Sequence, residues 1–532
     1  MSITNPILPG FHPDPSILRV EDDYYIATST FCWHPGVRIH HSKDLKNWEL
    51  VGYAVTRESQ IDLIGDEDHG GIWAPCLSFH DGMFYLIYTD MKRWSNAVYK
   101  DLYNYLITAP SIDGPWSEPV FLNSSGFDPS MFHDDDGKKW LVNMQWDHRK
   151  ANHSFPGILL QQYNHTQKKL IGPVKNIFPG SDLRMVEGPH LYKKDGYYYL
   201  LTAEGGTSWM HAATVARSKN IDGPYEVMPD NPLVTSVPDE TLVLQKAGHG
   251  SLVETQDGQW YLAHLCGRPV MPMRKCILGR ETAIQKVEWP NGEWPKLSHG
   301  NHFPMVEIEA PGLPEVIFTH NARNPYFNDD FNENSLHAEY NSLRVPIDDS
   351  WATLKARKSH LRLFGRESLF SIHRQSLIAK RIVHFDTTAA CAVDFDPADF
   401  QQMAGLVFYY DTTNHHYLYI SMDDNGHRIL GIMTSDGGKP VEYPGHVVTL
   451  PDTGTIYLKG EMHSACLQFH YATTPENWIP IGRVLDASIL SDEHKSQFKF
   501  TGAYAGLCVQ DLTGQRRYAD FDWFNMEVTA NN

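Results

Sequence analysis

The sequence predicts an all-β protein: a five-bladed β-propeller over residues 1–315, a linker at 316–325, and a β-sandwich of jelly-roll or concanavalin-like type over 326–532. Three observations carry this. A hairpin pattern repeats five times in the N-terminal part, the repeat stops at a proline-rich passage, and strand-like runs separated by turn signals fill the rest.

The repeated hairpins centre on Asp22-Asp23, Asp81-Gly82, Asp136-Gly137, Asp195-Gly196 and Asp257-Gly258. Asp-Gly between apolar runs signals a tight hairpin, because a type I′ turn needs positive φ at both central residues. Aromatic strands follow: Tyr24-Tyr25-Ile26, Phe84-Tyr85-Leu86, Trp140-Leu141-Val142, Tyr198-Tyr199-Leu200 and Trp260-Tyr261-Leu262. The repeat recurs roughly every 55 to 62 residues, longer than the kelch period of about 50 and long enough for a four-stranded blade with its loops. Alternation with β-branched and aromatic residues argues against helical repeats.

Eight residues before each turn aspartate stand Asp14, Trp73, Asp128, Glu187 and His249. Equivalent positions of a radial repeat lie on a ring around the axis. Neighbouring turn-formers (Pro13 and Pro15, Pro129, Gly188-Pro189, Gly248 and Gly250) place each at a strand's start, on the axial rim. Three carboxylates converging there suggest a site.

After Pro304, Pro311 and Pro314 comes Phe327-Asn328-Asp329-Asp330-Phe331. Runs such as Gly405-Leu406-Val407-Phe408-Tyr409-Tyr410 and Tyr417-Leu418-Tyr419-Ile420, with Asp424-Asn425-Gly426 as a turn, read as a sandwich of about 200 residues.

The chemistry is bounded by charge. Lys and Arg number 45 against 64 Asp and Glu, a formal charge of -19, which disfavours nucleic acid and anionic membranes as partners and favours a neutral ligand. Aromatics at 12% suit both β-rich folds and stacking on sugar rings. The 7 cysteines are scattered, without a C-x-x-C pair, so neither a disulfide framework nor a zinc site is expected. Without a basic, apolar N-terminal segment or a run long enough to span a bilayer, the expected location is the cytoplasm.

Glycoside hydrolysis needs one carboxylic acid to protonate the leaving oxygen and a second carboxylate opposite; if the second activates water, the two stand roughly 6.5 to 9.5 Å apart. Asp14 and Glu187 belong to non-adjacent repeats, and Asp128 beside Glu187 would keep it protonated by like-charge proximity. Each residue also has a plainer reading. Asp14 before Pro15 suits a turn or cap, Glu187 a solvated strand position, and Trp73 a core position. His249 suits a metal ligand, a water ligand or a hydrogen-bonded core histidine. Asp134-Asp135-Asp136-Gly137 resembles a cation loop but lacks calcium-loop spacing and reads as a turn.

The run Asn5-Pro6-Ile7-Leu8-Pro9-Gly10-Phe11-His12-Pro13-Asp14-Pro15-Ser16-Ile17 resembles the start of glycoside hydrolase family 43. So do Trp73-Ala74-Pro75, Phe127-Asp128-Pro129-Ser130, Val186-Glu187-Gly188-Pro189-His190 and Gly248-His249-Gly250-Ser251. Leu278-Gly279-Arg280-Glu281-Thr282 resembles the segment that supplies that family's substrate-binding arginine. The likeness covers essentially the whole chain and is strongest to the bacterial β-xylosidase branch. It implies inversion at the anomeric carbon, with Asp14 as general base, Glu187 as general acid and Asp128 tuning Glu187. It further implies Arg280 on ring hydroxyls, His249 near the pocket floor, Phe31, Trp73, Phe127 and Trp146 as walls, and Tyr504 as an aromatic from the sandwich. No cofactor and no metal are expected, and a homo-oligomer (dimer or tetramer) is.

The leading expectation is an exo-acting β-xylosidase on xylobiose and short xylo-oligosaccharides, with α-L-arabinofuranosidase side activity. The alternatives are a main α-L-arabinofuranosidase activity and a non-catalytic sugar-binding propeller.

Overall fold

The computed structural model describes residues 2–528 except 96–97, 444–445 and 497–498, and no α-helix occurs among the described residues. Among the described residues no helix is long and apolar enough to cross a membrane. Five antiparallel sheets follow one another along the chain, starting at Ser16–Val20, Gly71–His80, Ser130–His133, Glu187–Lys194 and Gln245–Glu254. Each of these first strands packs against the first strands of the neighbouring sheets, and the fifth returns to the first. That ring is a five-bladed propeller, with the first strands innermost.

The N-terminus closes the ring. Ser2–Thr4 pairs with Glu307–Glu309, and the Asn5 side chain donates to the carbonyls of Ile284 (2.7 Å) and Met305 (2.9 Å). Ile3, Ile7 and Leu8 are wedged among Ile17, Tyr24 and Trp48 of the first blade and Val253, Tyr261 and Ile284 of the fifth. Fully burying one such side chain stabilises by about 1.5–3 kcal/mol, so the seam is held mainly by apolar contact.

The turns refine the expected pattern. Asp81-Gly82 and Asp195-Gly196 are tight hairpins with φ of 51° and 73° in both pairs, the signature of type I′. The first turn is Glu21-Asp22 rather than Asp22-Asp23: Val20 pairs with Asp23, and Glu21 takes φ 55°. Asp136-Gly137 and Asp257-Gly258 lie in the wider loops 134–138 and 255–259, where Gly137 and Gly258 alone take positive φ and donate back to Asp134 (2.9 Å) and Thr255 (3.0 Å). Asp134 is engaged by Lys193 at 2.7 Å within this turn.

Each innermost segment also carries a left-handed residue at a common place: Asp14 (φ 55°), Ala74 (34°), Asp128 (52°), Gly188 (57°) and His249 (38°). They stand immediately before Pro15, Pro75, Pro129, Pro189 and Gly250. This is the true repeat position, and it corrects the count from the turns. Trp73 and Glu187 fall one residue ahead of it, because Asp81 and Asp195 are the first residues of their tight turns, whereas Asp22 is the second of its own and Asp136 and Asp257 lie deeper in wider loops. Asp14 and Asp128 precede their strands and Glu187 opens one, as expected for a rim. Trp73 and His249 instead lie within Gly71–His80 and Gln245–Glu254.

The C-terminal part is two packed sheets. One contains Ala352–Thr353, Leu361–Phe364, Tyr518–Val528, Asp386–Phe395, Ile456–His463, Cys466–Ala472 and Ile479–Asp486 in that order, with Phe327–Asp329 beside Tyr518–Val528. The other runs through Arg428–Asp436, Asn414–Met422, Gln402–Asp411, Tyr504–Asp511, Leu377–Arg381 and Asn341–Leu343. Their facing sides bury Leu406, Phe408, Leu458, Phe469, Leu507 and Phe521, so the domain is a β-sandwich.

The second sheet does not end within the sandwich. Its last strand is Trp33–His34, from the first blade, with Ser342 opposite His34 and Leu343 opposite Trp33. Arg38 meets Glu339 at 2.6 Å, Arg344 meets Asp68 at 2.8 Å, and Arg381 donates to the Phe11 carbonyl at 2.9 Å.

Candidate active site

The left-handed kinks turn two carboxylates toward the axis. A non-glycine residue at positive φ before proline is held against its own preference, a strain typical of functional positions. Asp14 is buried, accepts from Ser29 Oγ at 2.7 Å and from Arg280 Nη1 at 3.2 Å, and lies 3.8 Å from His249 Nδ1. Burial alone would raise its pKa. The Arg280 charge, His249 and the Ser29 hydroxyl outweigh it and hold Asp14 below the ordinary carboxylate value.

Asp128 and Glu187 move the other way. Burial and the nearby Asp14 charge push Asp128 up to about 8, against the Gly188 N–H, which donates to its Oδ2 at 3.0 Å. Glu187 is raised well above its usual value by burial first, then by Asp128 and Asp14. One carboxylate is thus held ionised and another carboxyl protonated, in blades that are not neighbours. Such opposed environments assign proton acceptor and donor.

Arg280 enters from the fifth blade behind Gly279. At Gly279 φ is 75° and a Cβ would stand 1.8 Å from the Thr501 carbonyl, so only glycine lets residues 499–502 of the sandwich lie against it. The guanidinium is buried and spans three groups: Asp14, Thr207 Oγ1 (3.0 Å) and the Phe500 carbonyl (3.1 Å from Nε). His249 packs on Gly188, where a Cβ would stand 3.1 Å from its ring. Burial depresses its pKa, with Asp14 opposing and Arg280 adding to the depression, which keeps the ring neutral near pH 7.

These groups share one pocket, lined by Asp14, Asp128, Glu187, His249 and Arg280, with Phe31, Trp73, Phe127, Thr207 and Phe500 around them. Trp73 is fixed by its Nε1–H on the His69 carbonyl (2.9 Å) and meets Phe127 edge-on at 5.4 Å. The pocket opens outward into a vestibule of about 800 Å³, where Trp94, Trp146 and Phe155 stand beside Lys100. Lys100 Nζ lies 4.3 Å from the Trp146 ring centroid and donates to the Trp94 carbonyl at 3.0 Å. Trp146 therefore stands in the outer space, which Glu187 also borders, and not around the inner pocket.

Tyr504 requires a correction. It is fully buried, stacks on Trp33 at 3.8 Å, and does not line the pocket. Its place is taken by Phe500, whose ring lies 5.9 Å from Trp73 and 6.4 Å from Phe31. Sequence reasoning missed Phe500, Thr207 and Lys100. The signal available for the first was an aromatic beside Lys499, one that Phe498 shares in the sequence.

Two family models match the chain: "Glycosyl hydrolases family 43" over residues 3–295 and "Beta xylosidase C-terminal Concanavalin A-like domain" over 328–527. The chain is 49% identical over 531 residues to a protein of Humicola insolens named xylosidase/arabinosidase 43B, covering 98% of this chain and 97% of that one. It is 48% identical over 534 residues to a β-xylosidase of Bacillus subtilis, covering 98% and 99%. Its structure is similar to the crystal structure of a xylan β-1,4-xylosidase from Bacillus halodurans, with TM-score 0.96, 54% identity and coverage of 99% and 100%. Axial carboxylates, propeller, sandwich and these likenesses agree: the chain belongs to glycosyl hydrolases family 43.

Proposed function

We propose that this protein is an exo-acting, inverting glycoside hydrolase that releases xylose from the non-reducing end of xylobiose and short xylo-oligosaccharides. Asp14 activates water as general base, Glu187 protonates the leaving oxygen as general acid, and Asp128 keeps Glu187 protonated and aimed. Arg280 and His249 bind the terminal sugar's hydroxyls, Phe31, Trp73 and Phe127 wall it, and Trp146 faces the leaving group. Residues 1–315 are the catalytic unit, 316–325 the linker, and 326–532 the sandwich that narrows the mouth.

The observation that carries the reading is the opposite displacement of Asp14 and Glu187 across one capped pocket. Supplied by the first and fourth blades, they leave room for a water between base and sugar, which inversion needs. End-on cleavage follows from Phe500 standing over the innermost space, so that a chain enters by its tip. The test is proton NMR of xylobiose with enzyme. Early α-xylose supports the assignment, whereas early β-xylose means retention and overturns the roles of Asp14 and Glu187.

A second reading, with α-L-arabinofuranosidase as a side or main activity, is favoured by the Humicola relative whose name joins both activities. The ratio of initial rates on the two aryl glycosides decides between them.

A further inference from the structure

Asp14 owes its ionised state to Arg280, and what fixes Arg280 lies partly outside the propeller. The backbone of Phe500 is held on both sides. Its carbonyl accepts from Arg280 Nε at 3.1 Å, and its N–H donates to His69 Nδ1 at 3.4 Å. A ring nitrogen that accepts carries no proton, so the His69 proton sits on Nε2 and is donated to Asp411 Oδ2 at 3.0 Å. The same oxygen accepts from Lys499 Nζ at 2.8 Å, one residue before Phe500. His69, Asp411 and Lys499 are all buried.

The remaining anchors of this arrangement are equally specific. Asp411 Oδ1 is taken by Thr413 N–H (2.8 Å) and Asn414 Nδ2 (2.9 Å), which fixes the carboxylate at the end of its strand. His69 follows a segment clamped from the sandwich. Arg344 donates to the Asp66 carbonyl (2.9 Å) and to Asp68 (2.8 Å), and Asp68 also accepts from Thr412 N–H at 3.0 Å.

We propose that His69, Asp411 and Lys499 form a positioning cluster: shared between propeller and sandwich, it sets the Phe500 peptide, through it Arg280, and through Arg280 the general base Asp14. The inference rests on the proposed role of Asp14. All three border the outer vestibule, and none lines the inner pocket that holds the carboxylates. Each acts through the 499–500 strap, so loosening any of them lets Arg280 drift from Asp14 while the other groups that face Asp14 (His249, His211, Asp128 and Glu187) stay in place.

The test is the pH dependence of kcat/KM on p-nitrophenyl β-xyloside for the full-length enzyme and for His69→Leu, Lys499→Met, His69→Asn and His69→Gln. His69→Leu and Lys499→Met should lower kcat by about tenfold to a hundredfold, the cost of an ångström-scale misplacement. They should also move the acid limb of the profile up by about half to one pH unit, because Asp14 loses part of its cationic partner. An asparagine at 69 keeps an acceptor where Nδ1 stands, whereas a glutamine keeps only a donor toward Asp411, so His69→Asn should recover most of the activity and His69→Gln should not. An unmoved acid limb in the leucine and methionine variants overturns the proposal, as does a glutamine variant as active as the asparagine one. If the leucine and methionine variants do not fold, the asparagine-to-glutamine comparison decides alone. A wild-type enzyme that releases no p-nitrophenol overturns the functional reading instead, so the two failures are told apart.

Discussion

The propeller axis and the sandwich interior are built from the same strands and use burial for opposite ends. Between the sandwich sheets the buried side chains are aliphatic and aromatic, led by Leu406, Leu458, Phe469 and Phe521. Around the axis they are Asp14, Asp128, Glu187, His249 and Arg280. Removing apolar groups from water stabilises the fold, at about 25 cal/mol per Å². Removing carboxylates from water costs free energy, and here that cost is turned into displaced pKa values. At the axis the left-handed backbone also falls on the functional side chains themselves, at Asp14, Asp128 and His249. The sandwich supplies stability, and the axis consumes some of it to keep two acids in different protonation states.

Substitutions in the two regions should therefore separate activity from stability. Asp14→Asn should lower kcat on xylobiose and on an aryl xyloside alike by about 10³-fold or more, within the range of general-base losses, with little change in thermal midpoint. Similar loss of midpoint and activity would erase the contrast. Glu187→Gln should cost about 10²–10⁴-fold on xylobiose and at least tenfold less on a p-nitrophenyl glycoside, whose leaving group needs less protonation. Steady-state rates on the two substrates check this.

In the sandwich, Leu458→Ala should destabilise by about 2–5 kcal/mol through lost transfer energy and a residual cavity, read from denaturant unfolding. Its kcat per folded molecule should stay near wild type. The pH profile sharpens the comparison further. Activity should fall as pH drops through the depressed pKa of Asp14, because a protonated base cannot accept a proton. It should fall again as pH rises through the raised pKa of Glu187, because an ionised acid cannot donate. Asp128→Asn removes a like charge from Glu187 and should shift the alkaline limb of kcat/KM to lower pH. The smallest effect is expected at Tyr504→Phe. Among the described residues the buried phenol oxygen has no hydrogen-bond partner, so its loss should change stability by less than about 1 kcal/mol and leave kcat/KM unchanged.

The fold was legible because propellers announce themselves through turns, and hairpin chemistry is local. Asp14 and Asp128 were legible for a related reason: each precedes the proline at which its strand bends inward. The shared phase of all five ring residues was not, since the counted aspartate stands first in two tight turns, second in another and deeper in two wider loops, which puts Trp73 and Glu187 one residue off. Phe500 was harder still. Its backbone is fixed by His69, 431 residues away, and by Arg280, 220 residues away. No local pattern encodes such contacts. Tyr504 pointed the other way because it was carried over from the family resemblance, which fixes a segment but not which of its aromatics faces the pocket. The strand it opens turns that ring onto Trp33 instead.

The strand Trp33–His34 has a consequence for how such a protein is inherited. Modular enzymes commonly exchange their domains between genes, and a cut in the linker leaves each module whole. Here the last strand of the C-terminal sheet is encoded before residue 35, some 300 residues upstream of its partner at 341–343. A recombination event at the linker would give one product a sheet with an open edge and the other an unpaired strand at the mouth of its pocket. The two halves have to travel through evolution together, and a truncated gene for either half would have to acquire a new edge strand before it could be passed on as a working part.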